Sequence, residues 1–270
     1  MYWLHTDETN TELSQSKFFI YGGLVATPEQ MVEAHNRVVA IRNKYSFLDA
    51  DQFKFHTRSR PDHLTIEDWT AAKAEAIKAV GDIGIKMLVY LVNHGVAKGK
   101  SDEVKLTWAM NALFAHFGLR FLSKTDSYGA ISIDRLPESF SYAHLESLFI
   151  DGVTVGSRTQ KIPRVIHYSV TSVGASHMNS LVDITLGAFR FCVNVASGSN
   201  GNRDRAVEMM SGIRTVLWSK DNEPDAGQIR DYGLILYPKV VRAPHLIAEY
   251  ESLVENLNRL ANGRTDLTAP

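Results

Sequence analysis

Asp7, Asp134 and Asp183 are the residues of this chain least suited to their surroundings. Asp7 ends a short N-terminal strand pattern, Asp134 ends a second one (Tyr128 to Asp134), and Asp183 interrupts a strongly apolar helical pattern. A carboxylate at a strand end or on a buried helix face is costly unless a positive charge neutralises it. A divalent cation bound by oxygen ligands does this, and carboxylates are the hard donors that magnesium and manganese select. Two strand-end acids and one from a late helix make a workable cage. In phosphoryl transfer such a cage holds one or two ions, about 3.5–4 Å apart when there are two. One ion lowers the pKa of an attacking water and the other stabilises the leaving oxygen. The expected chemistry is therefore Mg²⁺- or Mn²⁺-dependent phosphodiester cleavage.

Each acid also has a plainer reading. Trp3, His5 and Asp7 share one face of the first strand, and Asp7 leads into Glu8-Thr9-Asn10, where a turn or cap residue is common. Asp134 precedes Arg135, which can pair with it. Asp183 resists such accounts. Met178, Leu181, Val182, Leu186, Phe189 and Val193 form the apolar side of its helix, and Ser176, Asn179, Ser180, Asp183 and Gly187 form a stripe opposite. Small residues beside an acid let a helix come close to a sheet edge and present the carboxylate there. A solvated face would more often carry Lys, Glu or Gln.

The elements that must position these acids follow from periodicity. Strands are expected at 2–7, 17–26, 52–56, 84–93, 128–134, 164–170 and 232–238, rich in Val, Ile, Phe and Tyr and bounded by Gly, Pro, Asn or Asp. Thr27-Pro28-Glu29-Gln30 reads as a capping box with proline at the first helical position. Thr65 opens a second helix and Ser101 a third, the latter apolar nearly all round. Three more are expected at about 176–195, 203–217 and 244–260, with a loop at 197–204. Strands come first in a close pair and then alternate with helices. That order predicts an α/β fold, a mixed sheet covered by helices on both faces, in a single domain over 1–270.

Composition narrows the field. The 270 residues are 44% apolar, enough for a substantial core, and the net charge of −1 disfavours a protein that coats nucleic acid through a generally basic surface. The single cysteine, Cys192, excludes an intrachain disulfide framework and CxxC zinc sites, and its apolar helix makes it a core residue. No stretch approaches the ~20 apolar residues needed to cross a bilayer, and the N-terminus lacks a basic leader pattern, so a cytoplasmic location without membrane contact is expected. His94 to Ser101 ends like a phosphate-binding loop but has histidine where the first glycine belongs. The ten histidines form no HExxH or His-x-His pair, and no GxSxG elbow occurs. His116 and His167 read as core or edge histidines.

Four stretches resemble the domain-of-unknown-function 3800 family, whose members are similar to ribonuclease H-like proteins. Asp7-Glu8-Thr9 after the opening strand looks like that family's N-terminal Asp-Glu-Ser/Thr motif, and Phe18 through Val25 like its second strand. Gln52-Phe53-Lys54-Phe55-His56 looks like its central Glu-x-Lys/His motif. Ser132-Ile133-Asp134 with Ser176 through Ala188 looks like its later strand acid and closing Gln-x-Ala-Asp helix. The likeness spans about residues 1–240 and rests on the joint order of short motifs. It implies a ribonuclease H-like fold and metal ligands at Asp7, Asp134 and Asp183, with Glu8 a fourth candidate, and no particular substrate. The departures are Gln52 in place of the glutamate, and Ser180 and Val182 in the helix motif. Loss of that carboxylate removes a metal ligand: Glu8 or Asp51 compensates, the site binds one metal only, or it has lost its chemistry.

As a strand, Lys54, His56 and Arg58 would share one side and form a cationic strip suited to phosphate. His56 could shuttle a proton. The plainer reading is a charged edge strand. Two functions follow: a Mg²⁺/Mn²⁺-dependent nuclease or related phosphodiester-cleaving enzyme with Asp7, Asp134, Asp183, Lys54 and His56 as catalytic residues and nucleic acid as candidate partner, or an inactive binding protein that keeps the fold.

Overall fold

Every residue of β2 (Phe18–Ala26) is buried, which puts this strand at the centre of a sheet covered on both faces. The computed structural model describes residues 1–11, 16–134, 142–172, 174–219, 229 and 232–268. Strand β1 (Tyr2–Thr9) and strand β3 (Lys86–Asn93) flank β2 antiparallel. Beyond β1, β4 (Gly129–Asp134) runs parallel to it and β7 (Val165–Thr171) parallel to β4. β8 (Leu234–Tyr237) joins the other edge, parallel to β3. The spatial order is β7-β4-β1-β2-β3-β8, a mixed six-stranded sheet. A short separate hairpin is formed by β5 (Val153–Val155) and β6 (Arg158–Gln160).

The helices divide between the two faces. α1 (Pro28–Lys44), α2 (Ile66–Ile83), α6 (His177–Ala196), α7 (Arg203–Val216) and α8 (Pro244–Ala261) cover one, around a core that includes Trp69, Phe189 and Leu253. α3 (Asp102–His116), continued by a π-turn at Phe117–Phe121 and a last turn α4 (Leu122–Lys124), covers the other around Leu4, Tyr21, Phe114 and Ile131. α5 (Tyr142–Ile150) precedes the hairpin. The helix starts follow the sequence signals. Thr27 and Gln30 form the reciprocal box, Gln30 N–H to Thr27 Oγ1 at 3.2 Å and Thr27 N–H to Gln30 Oε1 at 2.9 Å. Thr65 Oγ1 accepts the Asp68 N–H at 3.0 Å, and Ser101 caps α3. Cys192 is buried, and among the described residues no helix is long and apolar enough to cross a membrane.

One expected strand does not form. Residues 52–56 are irregular and pass into a 3₁₀ turn at Thr57–Ser59. The alternation of Phe53 and Phe55 imitates a strand for a different reason. Phe53 plugs the core, its ring 4.9 Å from Phe47 and 5.8 Å from Trp69, while the peptide groups of Phe55 are bonded to side chains instead of to a neighbouring strand. The expected strip of Lys54, His56 and Arg58 falls with the strand: His56 Nδ1 accepts the Arg58 N–H at 3.0 Å, which turns the chain.

Candidate functional site

Parallel pairing brings the first two acids together. The last paired residues of β1 and β4 are Thr6 and Ile133, and one further step sets Asp7 beside Asp134 on strands about 4.8 Å apart. His5 pairs with Ser132, so these four residues share the sheet face that α6 covers. α6 lies over β1 and β2 and supplies Asp183.

Asp183 is held by the loop that replaces the expected strand. The Phe55 N–H donates to Asp183 Oδ2 at 2.6 Å, and the Phe55 carbonyl accepts from Lys73 Nζ at 3.0 Å. Phe55 is thus gripped at both peptide groups. Its ring lies 4.8 Å from the Lys73 ammonium and 5.8 Å from the Arg190 guanidinium, cation–π geometry in both cases. Gly187, one turn beyond Asp183, makes room for it: a Cβ there would sit 2.4 Å from Phe55 Cγ. Arg190 continues the stripe and donates to Thr9 Oγ1 at 3.3 Å, so it ties α6 to the end of β1.

Two clefts meet at Asp183. A small one of about 70 Å³ is lined by Asp7, Glu8, Phe55, His56, Asp183 and Arg190. A larger one of about 450 Å³ takes in Asp134 and Asp183 with Gln52, Lys54, Arg42 and His177. Lys54 and His56 therefore flank the same carboxylate from different clefts, whereas Arg58 lines neither. Asp51 also lines the larger cleft, but its Oδ2 accepts the Leu48 N–H at 2.6 Å, which engages it in the local turn.

The electrostatics reflect burial first, with like charge adding to it at Asp7 and Glu8. Burial pushes the Asp7 carboxyl up to about 8, reinforced by Glu8, Asp134 and Asp183 and opposed by the Glu8 N–H, which donates to Asp7 Oδ1 at 2.8 Å. Burial and then Asp134 push Glu8 up to about 7. Asp183 is raised by burial and restrained by the Phe55 N–H, Lys54, Arg190 and His56. Lys73 is lowered to about 8 by burial and by Arg205, against an opposing pull from Asp183.

This donor set suits a hard divalent cation in kind: all oxygen, mostly buried, and mutually repelling. Its arrangement is looser. Among the described residues no three His, Cys, Asp or Glu side chains converge to hold an ion, so the carboxylates are neighbours and not a closed cage.

Three residues of the site escape the motif reading. Phe55 acts through its backbone, which no side-chain pattern marks. Lys73 had a signal: it stands among Trp69, Ala72, Ala76 and Ile77 on the apolar face of α2, where a charge needs a reason. Arg190 lies seven residues after Asp183, at the next position of the same stripe. In comparisons with known proteins, no family model, no curated protein and no solved structure matches this chain.

Proposed function

We propose that the protein is a Mg²⁺- or Mn²⁺-dependent phosphodiester-cleaving enzyme of ribonuclease H-like fold, a nuclease or a close functional relative. The observation that carries this reading is the placing of Asp7 beside Asp134 at the sheet end under α6, where burial first and then Glu8, Asp134 and Asp183 raise its carboxyl. Such crowding destabilises the fold unless a cation relieves it, and perturbed groups of this kind gather at functional sites. The mixed sheet supports the fold assignment, with an antiparallel β1–β2–β3 meander extended beyond β1 by parallel strands.

Asp7, Glu8, Asp134 and Asp183 are the candidate ligands; they stand as neighbours and would have to draw together on an ion, which when bound would supply charge neutralisation and activation of water. Backbone hydrogen bonds engage one oxygen of each of two acids. Phe55 occupies Asp183 Oδ2 and leaves Oδ1; Glu8 occupies Asp7 Oδ1 and leaves Oδ2. Lys54 would hold a phosphate oxygen as a point charge. His56 accepts the Arg58 N–H at Nδ1, so Nε2 is the atom that carries or releases a proton. The larger cleft would receive the ester, with nucleic acid as the candidate substrate.

A second reading, an inactive binding protein with the same fold, draws on Gln52, which lines the larger cleft where the resembled family has glutamate. Calorimetric titration of Mn²⁺ into wild type and Asp183→Asn separates the two. Near-stoichiometric binding abolished by the substitution supports the enzyme and justifies a screen of DNA, RNA and small phosphodiesters. Wild type that binds no Mn²⁺ refutes it.

A further inference from the structure

A further cleft, between α2 and α7, has the features of a ligand site. α2 and α7 run side by side in the same direction. Arg205 Nη2 donates to Thr70 Oγ1 at 3.3 Å, a Cβ on Gly212 would sit 3.0 Å from Ile77 Cγ2, and one on Gly81 would sit 2.7 Å from Thr215 Oγ1. These three contacts keep a nearly constant sequence offset, so the helices stay in step along their lengths. Between them lies a cleft of about 300 Å³.

Its two ends differ in kind. Toward the starts of both helices stand Lys73 and Arg205; further along, the walls are Ile77, Met209 and Gly212. Lys73 is 5% exposed, and its ammonium bonds to the Phe55 carbonyl, a neutral acceptor. Arg205 bonds to a neutral hydroxyl. Among the described residues neither makes an ion pair, although each lies close enough for Arg205 to disfavour the charge on Lys73. Lys78, which also lines the cleft, is neutralised by Asp82 at 2.5 Å. Exposed Glu208 forms no pair with Arg205. Asp183 lies near enough to favour the charge on Lys73 without pairing with it, and burial and Arg205 outweigh it. A buried cation with a second cation beside it and no ion-pair partner is unfavourable until a counter-charge arrives.

We propose that the α2–α7 cleft binds a small carboxylate with an aliphatic tail, its head between Lys73 and Arg205 and its tail along Ile77 and Met209. The apolar length suits such a molecule. At 1.5 Å per residue, Lys73 to Asp82 spans about 13 Å of α2, room for a medium-length chain lying along the groove. A bare inorganic anion would satisfy the head and leave the walls uncovered. A neutral amphiphile would cover the walls and leave the cations unmatched.

Calorimetry on the full chain with three probes tests this: octanoate, octanol and inorganic phosphate. Octanoate is expected to saturate one site, with octanol and phosphate each weaker by about tenfold or more, since a hydrogen bond to a charged group contributes about 1.5–3 kcal/mol. Arg205 is half-buried and bonded to one hydroxyl, so Arg205→Gln should fold with an unchanged melting temperature and bind octanoate about 10- to 100-fold more weakly. Met209→Asp, which puts an acid on the tail wall, should weaken it as well. Octanoate that fails to saturate, octanol or phosphate that matches it, or a folded Arg205→Gln that binds it unchanged would overturn the proposal.

Discussion

Asp7→Asn should stabilise the metal-free protein at neutral pH. Asp7 titrates near 8 in the fold against an ordinary value of 3.8, so between those values the native state holds a proton that the unfolded chain has released. Stability rises with pH only where the unfolded state binds more protons; here the native state does, so stability falls as pH climbs from about 4 toward 8. At pH 7 the gap above 3.8 is about three pH units, which at 1.36 kcal/mol per unit is about 4 kcal/mol of destabilisation. That is an upper figure, because the carboxylate can rotate toward solvent when it ionises. Asparagine has no proton to lose and keeps the acceptor for the Glu8 N–H. Urea unfolding in the presence of a chelator should therefore show the variant more stable by about 2–4 kcal/mol at pH 7, and by about 1 kcal/mol or less at pH 4.5. With Mn²⁺ added, the wild type should gain more stability than the variant. A variant that is less stable at pH 7, or an increment that is the same at both pH values, would refute the electrostatic reasoning.

Two further substitutions test the scaffold around the site. Alanine at Gly187 would normally favour the helix, but its Cβ would meet Phe55 at 2.4 Å, so Gly187→Ala should cost about 1–3 kcal/mol in chemical denaturation and speed hydrogen exchange at the Phe55 amide. Thr65→Ala removes the acceptor for the Asp68 N–H and should lower stability by about 1 kcal/mol, with Mn²⁺ binding unchanged in calorimetry.

The readable parts of this chain are those in which local chemistry and tertiary context agree. Thr27, Thr65 and Ser101 open helices because their side chains bond the first turn wherever the helix then lies. The strands at 2–9, 18–26 and 129–134 are apolar enough to be legible, and Asp134 at the end of the last stood out for the same reason, as did Asp7, although β1 runs two residues past it to Thr9. The segment 52–56 misleads because Phe53 and Phe55 alternate as a strand would, while the bonds that decide its shape come from Asp183 and Lys73, far away in sequence. α5 and the β5–β6 hairpin are short and carry exposed apolar residues, Phe149, Ile150 and Val155 among them, so their patterns lack the contrast between faces that marks longer elements. Adjacency of Asp7 and Asp134 depends on β1 pairing with β4, a register that no local pattern encodes.

That pairing also bears on the order of assembly. β1, β2 and β3 are antiparallel neighbours drawn from the first 93 residues, with β1 and β2 separated by a short connection. β4 must return from residue 129 to lie against β1, and α6 arrives later still. Contacts between such distant segments carry a large loop-closure cost and tend to form late. The carboxylates thus meet only when these long-range pieces dock, so their repulsion is expected to weigh on later folding steps more than on the first. Folding through the meander should then depend little on pH, while the step that completes the site should slow as pH rises.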